Sequence, residues 1–120
     1  MKLNTYRRTS AFTLVEIMIV VAIIGLLAAI AIPNFVRART QSQTQACINN
    51  LRQIDAAIQQ WALETNQGVD APVSHTNVVG YLKSPPRCPA GGEGFEKDYD
   101  LTTVSENPTC KVQPDTHVLP

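Results

Sequence analysis

Ionisable side chains are all but missing from residues 12–36, where Glu16 alone carries a charge. A stretch so poor in charge excludes a water-facing surface, and at about 1.5 Å per helical residue it is long enough to cross a bilayer, which takes roughly 20 residues. An excess of charge of either sign is missing too, since ten Lys and Arg balance ten Asp and Glu. That balance leaves no basic footprint for neutralising phosphates and argues against direct nucleic-acid contact. Cysteine is scarce, with three in the chain and no Cys-x-x-Cys pair. The chain is also short, 120 residues, so that once the amino-terminal basic segment and the apolar span are set aside at most one small domain remains. His75 and His117 lie in loop text without a nucleophile motif, so no catalytic constellation is expected, no enzyme, and no cofactor.

What is present begins with a basic leader containing Lys2, Arg7 and Arg8 ahead of the apolar run. Lys and Arg beside a span prefer the cytoplasm, so the amino terminus is expected inside and everything from about Asn34 outside, where a disulfide can persist. Arg37 and Arg39, the one tight basic pair beyond the leader, follow the span directly and fit lipid headgroups or a neighbouring subunit better than DNA. Glu16 stands one turn into the apolar run. A helix dipole favours a carboxylate there, yet carboxylates in such spans are costly and point to function.

The residues around it, Ala11-Phe12-Thr13-Leu14-Val15-Glu16, resemble the processing site of type IV pilins and pseudopilins, usually Gly-Phe-Thr-Leu-x-Glu. Ala11 replaces the usual Gly, and both are small. Gly25 and Pro33 also fall where that family's long first helix carries its Gly and Pro. The resemblance implies cleavage between Ala11 and Phe12 by a prepilin peptidase and N-methylase. It further implies storage in the bacterial inner membrane as a single-pass subunit. Assembly would then join copies of the chain and other pilin-like subunits, on an inner-membrane platform, into a type IV pilus-like or type II secretion pseudopilus filament, periplasmic or extracellular. In that filament Glu16 of one subunit pairs with the Phe12 amine of its neighbour. The residues supply the same reason: a carboxylate in an apolar core needs a cation, and cleavage before Phe12 creates one. Such a cut also removes three basic residues, leaving seven against ten acidic ones.

Two other readings stand beside this one. A competence-type pilin would capture DNA with its filament, which the mildly acidic mature surface disfavours. A secretory signal would have its apolar region at Ile17 to Ala28 and a small-x-small site at Ala29-Ile30-Ala31, releasing a soluble protein cut after Ala31. Glu16 at the mouth of the run, and apolar text continuing past the supposed cut, weigh against it.

After Pro33 the pattern becomes amphipathic, with Cys47, Leu51, Ile54, Ile58 and Trp61 on one helical face. No Gly or Pro interrupts residues 34–66, so one helix from about Thr13 to Glu64 is expected. Pro33 should kink it, with Gly25 a second weak point. The expected fold is α+β: a leader at 1–11, an apolar transmembrane and filament-core helix at 12–33, its amphipathic continuation at 34–65, and a small loop-rich head at 66–120. Residues 66–86 read as a loop with a small helix or turn. In the head, Asp98 to Val104 reads as a strand, Ser105 to Pro108 as a turn, and Thr109 to Val112 as the returning strand of an antiparallel ribbon packed on the Cys47 to Trp61 face.

Three cysteines allow three single bridges. Cys88 with Cys110 is favoured, because a bridge across the ribbon unit would stabilise a small head by roughly 3 kcal/mol, leaving Cys47 as a buried thiol. A zinc site from Cys88, Cys110 and His117 lacks the close Cys pairs typical of such sites and is disfavoured, so no metal ligand is assigned. Cys88-Pro89-Ala90-Gly91-Gly92-Glu93-Gly94 lacks the Lys-Ser or Lys-Thr of a phosphate loop and reads as a turn. Glu93, Glu96, Asp98 and Asp100 lack the spacing of a calcium loop and read as a solvated acidic edge.

Overall fold

The computed structural model describes residues 9–120; Lys2, Arg7 and Arg8 of the expected leader lie outside the described residues. Helix α1 runs from Leu14 to Thr65, within a residue at each end of the helix expected from the pattern. It passes through Gly25 and Pro33 as one element. Its end is set by Asn66, whose φ of 52° is left-handed, while the Gln67 amide donates back to the Ala62 carbonyl at 2.9 Å. This is the bond that closes a helix when the next residue turns left-handed, a conformation Asn tolerates better than most.

The chain forms two compact units that divide between Val36 and Arg37. In the first, α1 presents every large apolar side chain from Phe12 to Val36 to the outside. In the second, the later part of α1 buries Cys47, Leu51, Ile54, Ala57, Ile58, Trp61 and Ala62, the face its spacing marks. Against this face pack Val73, Val78, Cys88, Phe95, Tyr99, Val104 and Cys110. The packing elements are short: α2 at His75–Val78, a 3-10 turn at Val79–Tyr81, α3 at Phe95–Asp98, β1 at Tyr99–Asp100 and β2 at Thr109–Cys110.

β1 and β2 pair antiparallel, with Tyr99 opposite Cys110 and Asp100 opposite Thr109. The ribbon is thus present but shorter than its sequence suggests. Beyond Asp100 the chain leaves β2 and turns to the Pro72 segment, where Pro72 pairs with Thr103. The Val73 amide donates to the Thr102 carbonyl at 2.9 Å, and the amides of Val104 and Ser105 donate to the carbonyls of Ala71 and Val69 at 3.2 and 3.0 Å. The hydrogen bonds that a longer ribbon would have made are therefore made to a different partner.

Polar side chains of α1 fasten these loops. Gln43 Nε2 donates to the Pro89 carbonyl at 3.0 Å, Asn50 Nδ2 to the Arg87 carbonyl at 2.9 Å, and Gln59 Nε2 to the Val104 carbonyl at 2.9 Å. The head has few buried apolar residues, so each should matter. Leu51→Ala, at a fully buried site, is expected to destabilise the head by about 2–5 kcal/mol, checked by chemical denaturation followed at Trp61.

Candidate assembly and processing site

The start of α1 is built from the tetrapeptide Thr13-Leu14-Val15-Glu16. The Thr13 amide donates to Glu16 Oε2 at 2.7 Å, the Thr13 hydroxyl donates to the same oxygen at 3.0 Å, and the Glu16 amide donates to Thr13 Oγ1 at 3.2 Å. This is a reciprocal capping box, in which side chains at the cap and three residues on satisfy amides that a helix start leaves unpaired. The Ile17 amide to the Thr13 carbonyl, at 3.3 Å, is among the first helical bonds. Thr13 is a hydrogen-bond partner of Glu16 that attention to Glu16 alone overlooks, although the Thr-x-x-Glu spacing is legible in the sequence.

The box turns the Glu16 carboxylate back toward the Ala11–Phe12 bond. Ser10, Ala11, Phe12 and Glu16 line a shallow recess of about 200 Å³, and Phe12 is 83% exposed. The peptide bond expected to be cut is thus accessible, and the acid expected to meet an amine lies beside it. From this point an 18-residue window of α1 reaches a mean hydropathy of 2.9 with none of it buried. An apolar surface on every side of a helix cannot be stable in water, so it calls for lipid or other apolar helices around it. A Cβ on Gly25 would meet nothing within 4 Å, leaving a flat place on that surface where another helix can approach closely.

The other residues singled out from sequence lie in the head. Cys88 and Cys110 are brought together, their sulfurs 3.8 Å apart, but as free thiols and not as a bridge. Cys47 and His117 join them. His117 Nδ1 lies 3.5 Å from Cys88 Sγ and 3.7 Å from Cys110 Sγ, and Cys47 Sγ lies 3.6 Å from the Tyr99 hydroxyl. All four side chains are buried. Burial pushes the Cys47 and Cys88 thiols up and the His117 imidazole down, which favours the uncharged form of each.

The Cys88 to Gly94 stretch is the turn its glycines suggest. The Gly92 amide donates to the Cys88 carbonyl at 2.8 Å, and Gly91 adopts a φ of 109° that L side chains rarely take. Asp98 is not part of a solvated acidic edge; it is 1% exposed. Its carboxylate accepts from the Cys88 amide at 2.9 Å and the Glu93 amide at 2.7 Å. Burial alone would raise its pKa, but the amides of Cys88, Gly94 and Glu93, with Arg87 nearby, hold the carboxyl below its usual range. An acid amid other acids reads as surface from sequence, and only the closed turn reveals its use.

Comparison with known proteins agrees with the amino-terminal geometry. Residues 6–32 match the family model described as the prokaryotic N-terminal methylation motif. The chain is similar to the type II secretion system core protein G of Escherichia coli (strain K12), 32% identical over 111 residues that cover 80% of this chain and 73% of the relative. To the protein of that name from Aeromonas hydrophila it is 30% identical over 100 residues, covering 71% and 70%. With the type IV major pilin protein PilA of Myxococcus xanthus (strain DK1622) it shares 44% over 74 residues, 62% of this chain but 32% of PilA. No solved structure matches the chain significantly. The methylation motif lies on the exposed apolar start of α1, and the similarity to the core G proteins runs well beyond it into the head: the chain belongs to the type IV pilin and type II secretion pseudopilin family.

Proposed function

We propose that the chain is a structural subunit of a type IV pilus-like or type II secretion pseudopilus filament. It is held in the inner membrane by the first part of α1, amino terminus in the cytoplasm, and enters the filament after cleavage between Ala11 and Phe12. The observation that carries this reading is the apolar run from Phe12 to Val36, exposed on every side and opened by a single carboxylate. A lipid bilayer can cover that surface before assembly and neighbouring helices can cover it afterwards, and in both settings backbone polar groups are satisfied within the helix. In the filament the cleaved chain's Phe12 ammonium supplies the cation that Glu16 requires, and methylation of the amine preserves its charge. The prepilin peptidase, sister subunits and the membrane assembly platform are the partners of this cycle.

Cell fractionation tests the reading. The subunit should appear both in inner-membrane pellets that resist alkaline extraction and in the sheared filament or pseudopilus fraction. Recovery of the whole population as soluble periplasmic or secreted protein is incompatible with it. Ala11→Leu should block processing, visible as accumulation of the longer precursor in the membrane, because a bulky side chain then sits next to the bond to be cut.

A further inference from the structure

We infer that Cys47, Cys88, Cys110 and His117 form a closed, four-coordinate Zn²⁺ site at the centre of the head. Their four ligand atoms lie within 4.8 Å of one another and all four residues are buried. A tetrahedral ion with Zn–S near 2.3 Å and Zn–N near 2.0–2.1 Å separates its sulfur ligands by about 3.8 Å and its sulfur and nitrogen ligands by about 3.5 Å. The Cys88–Cys110 edge is 3.8 Å, and the edges from His117 Nδ1 to these sulfurs are 3.5 and 3.7 Å. Three edges of the cluster thus already have the dimensions of a zinc tetrahedron, and Cys47 supplies the fourth corner.

The donor set selects the ion. Three thiolates and an imidazole suit Zn²⁺ and are poor ligands for Ca²⁺ or Mg²⁺, which take oxygen. With four protein ligands and no solvent-exposed corner the site is structural and not catalytic. Binding displaces the thiol protons to solvent and changes no oxidation state.

The surroundings are built to hold the ligands. Cys88 begins the turn closed by Gly92, its own amide is fixed by Asp98, and the Ala90 amide is directed at its sulfur. The Tyr99 hydroxyl lies beside Cys47 Sγ, and Tyr99 is the strand partner of Cys110. Such outer contacts orient metal ligands and temper thiolate charge. The ligands come from α1, the Cys88 turn, β2 and the turn at His117, so one ion ties four separate segments of the chain together in a head whose strands are two residues long. A core this small ordinarily needs a staple. The cluster serves as a metal staple, and it does so whether or not the filament reading holds.

The test uses the full-length chain, purified in detergent without chelators. Elemental analysis is expected to return about one Zn²⁺ per chain after gel filtration, with all three thiols reacting once the chain is denatured with chelator. Chelation should lower the melting midpoint by roughly 10 °C or more. Co²⁺ exchanged into the site should give the intense visible bands of a tetrahedral ion and thiolate charge transfer. His117→Cys should retain the metal and strengthen that charge transfer, whereas Cys47→Ser should lose at least about tenfold in affinity. A Cys88–Cys110 disulfide with one reactive thiol per chain would overturn the assignment. So would three free thiols that take up neither Zn²⁺ nor Co²⁺ under reducing conditions, or an ion that gel filtration removes.

Discussion

Glu16→Gln is expected to reduce the yield of sheared filaments by at least about 100-fold while leaving the subunit in the membrane. The variant separates two duties of this side chain. As a cap, Glu16 accepts from the Thr13 amide and hydroxyl, and Gln at the same place in a capping box does this nearly as well. On the proposed reading it also meets, as a charge, the ammonium of a neighbouring Phe12 in an apolar core, and there Gln should fail. Leaving one member of a buried ion pair alone costs about 3–5 kcal/mol, and each 1.4 kcal/mol is a factor of ten, so each junction should weaken by roughly 10²–10⁴. Glu16→Ala should lose assembly to at least the same extent and fray the helix start as well. Normal filament yield from Glu16→Gln would leave capping as the whole role of Glu16. Quantitative immunoblotting of membrane and sheared fractions reads both outcomes.

The second large effect is expected at Gly92. A Cβ there would collide with the Asp98 carboxylate and come to 2.8 Å from the Cys88 backbone nitrogen, neither of which is the free end of a flexible chain. Gly92→Ala must therefore displace Asp98 from the amides it holds. Hydrogen bonds to a charged group are worth about 1.5–3 kcal/mol each, and more than one is broken, so the loss should be roughly 3–5 kcal/mol. For a domain of this size that lowers the melting midpoint by at least about 12 °C. Gly68→Ala, whose added Cβ meets nothing within 4 Å, serves as the control and should change stability by less than about 1 kcal/mol. Similar melting curves for both variants would remove Asp98 from the centre of the head.

These two sites differ in how far they can be read from sequence. Near Glu16 everything is local: the Thr-x-x-Glu spacing, the small residue before Phe12 and the unbroken apolar run lie within a few turns of one helix, and the chain folds as they suggest. The face from Cys47 to Trp61 is equally legible because helical periodicity alone specifies it. The head is different, since its arrangement depends on contacts between residues far apart in the chain. Thr102 to Ser105 have strand-forming residues but bond to residues 69–73 and not to β2, a choice that no local pattern encodes. Asp98 belongs to an acidic run, and its burial follows from a turn that closes over it. Cys47 lies on the apolar helix face, where a thiol reads as core. Its part in the cluster emerges only when β2 and the His117 turn are brought against that face; the sequence suggests Cys88, Cys110 and His117 as a set, but their spacing, which lacks any close pair, argues against a shared site and leaves Cys47 outside it.

The most direct test of the account is the intact mass and amino-terminal sequence of the subunit recovered from sheared filaments and from membranes. A chain beginning at Phe12, heavier by one methyl group, is the expected result and places the ammonium where Glu16 needs it. A chain beginning at Ile32 would contradict the account, because it removes Glu16 together with most of the apolar surface and leaves a soluble domain.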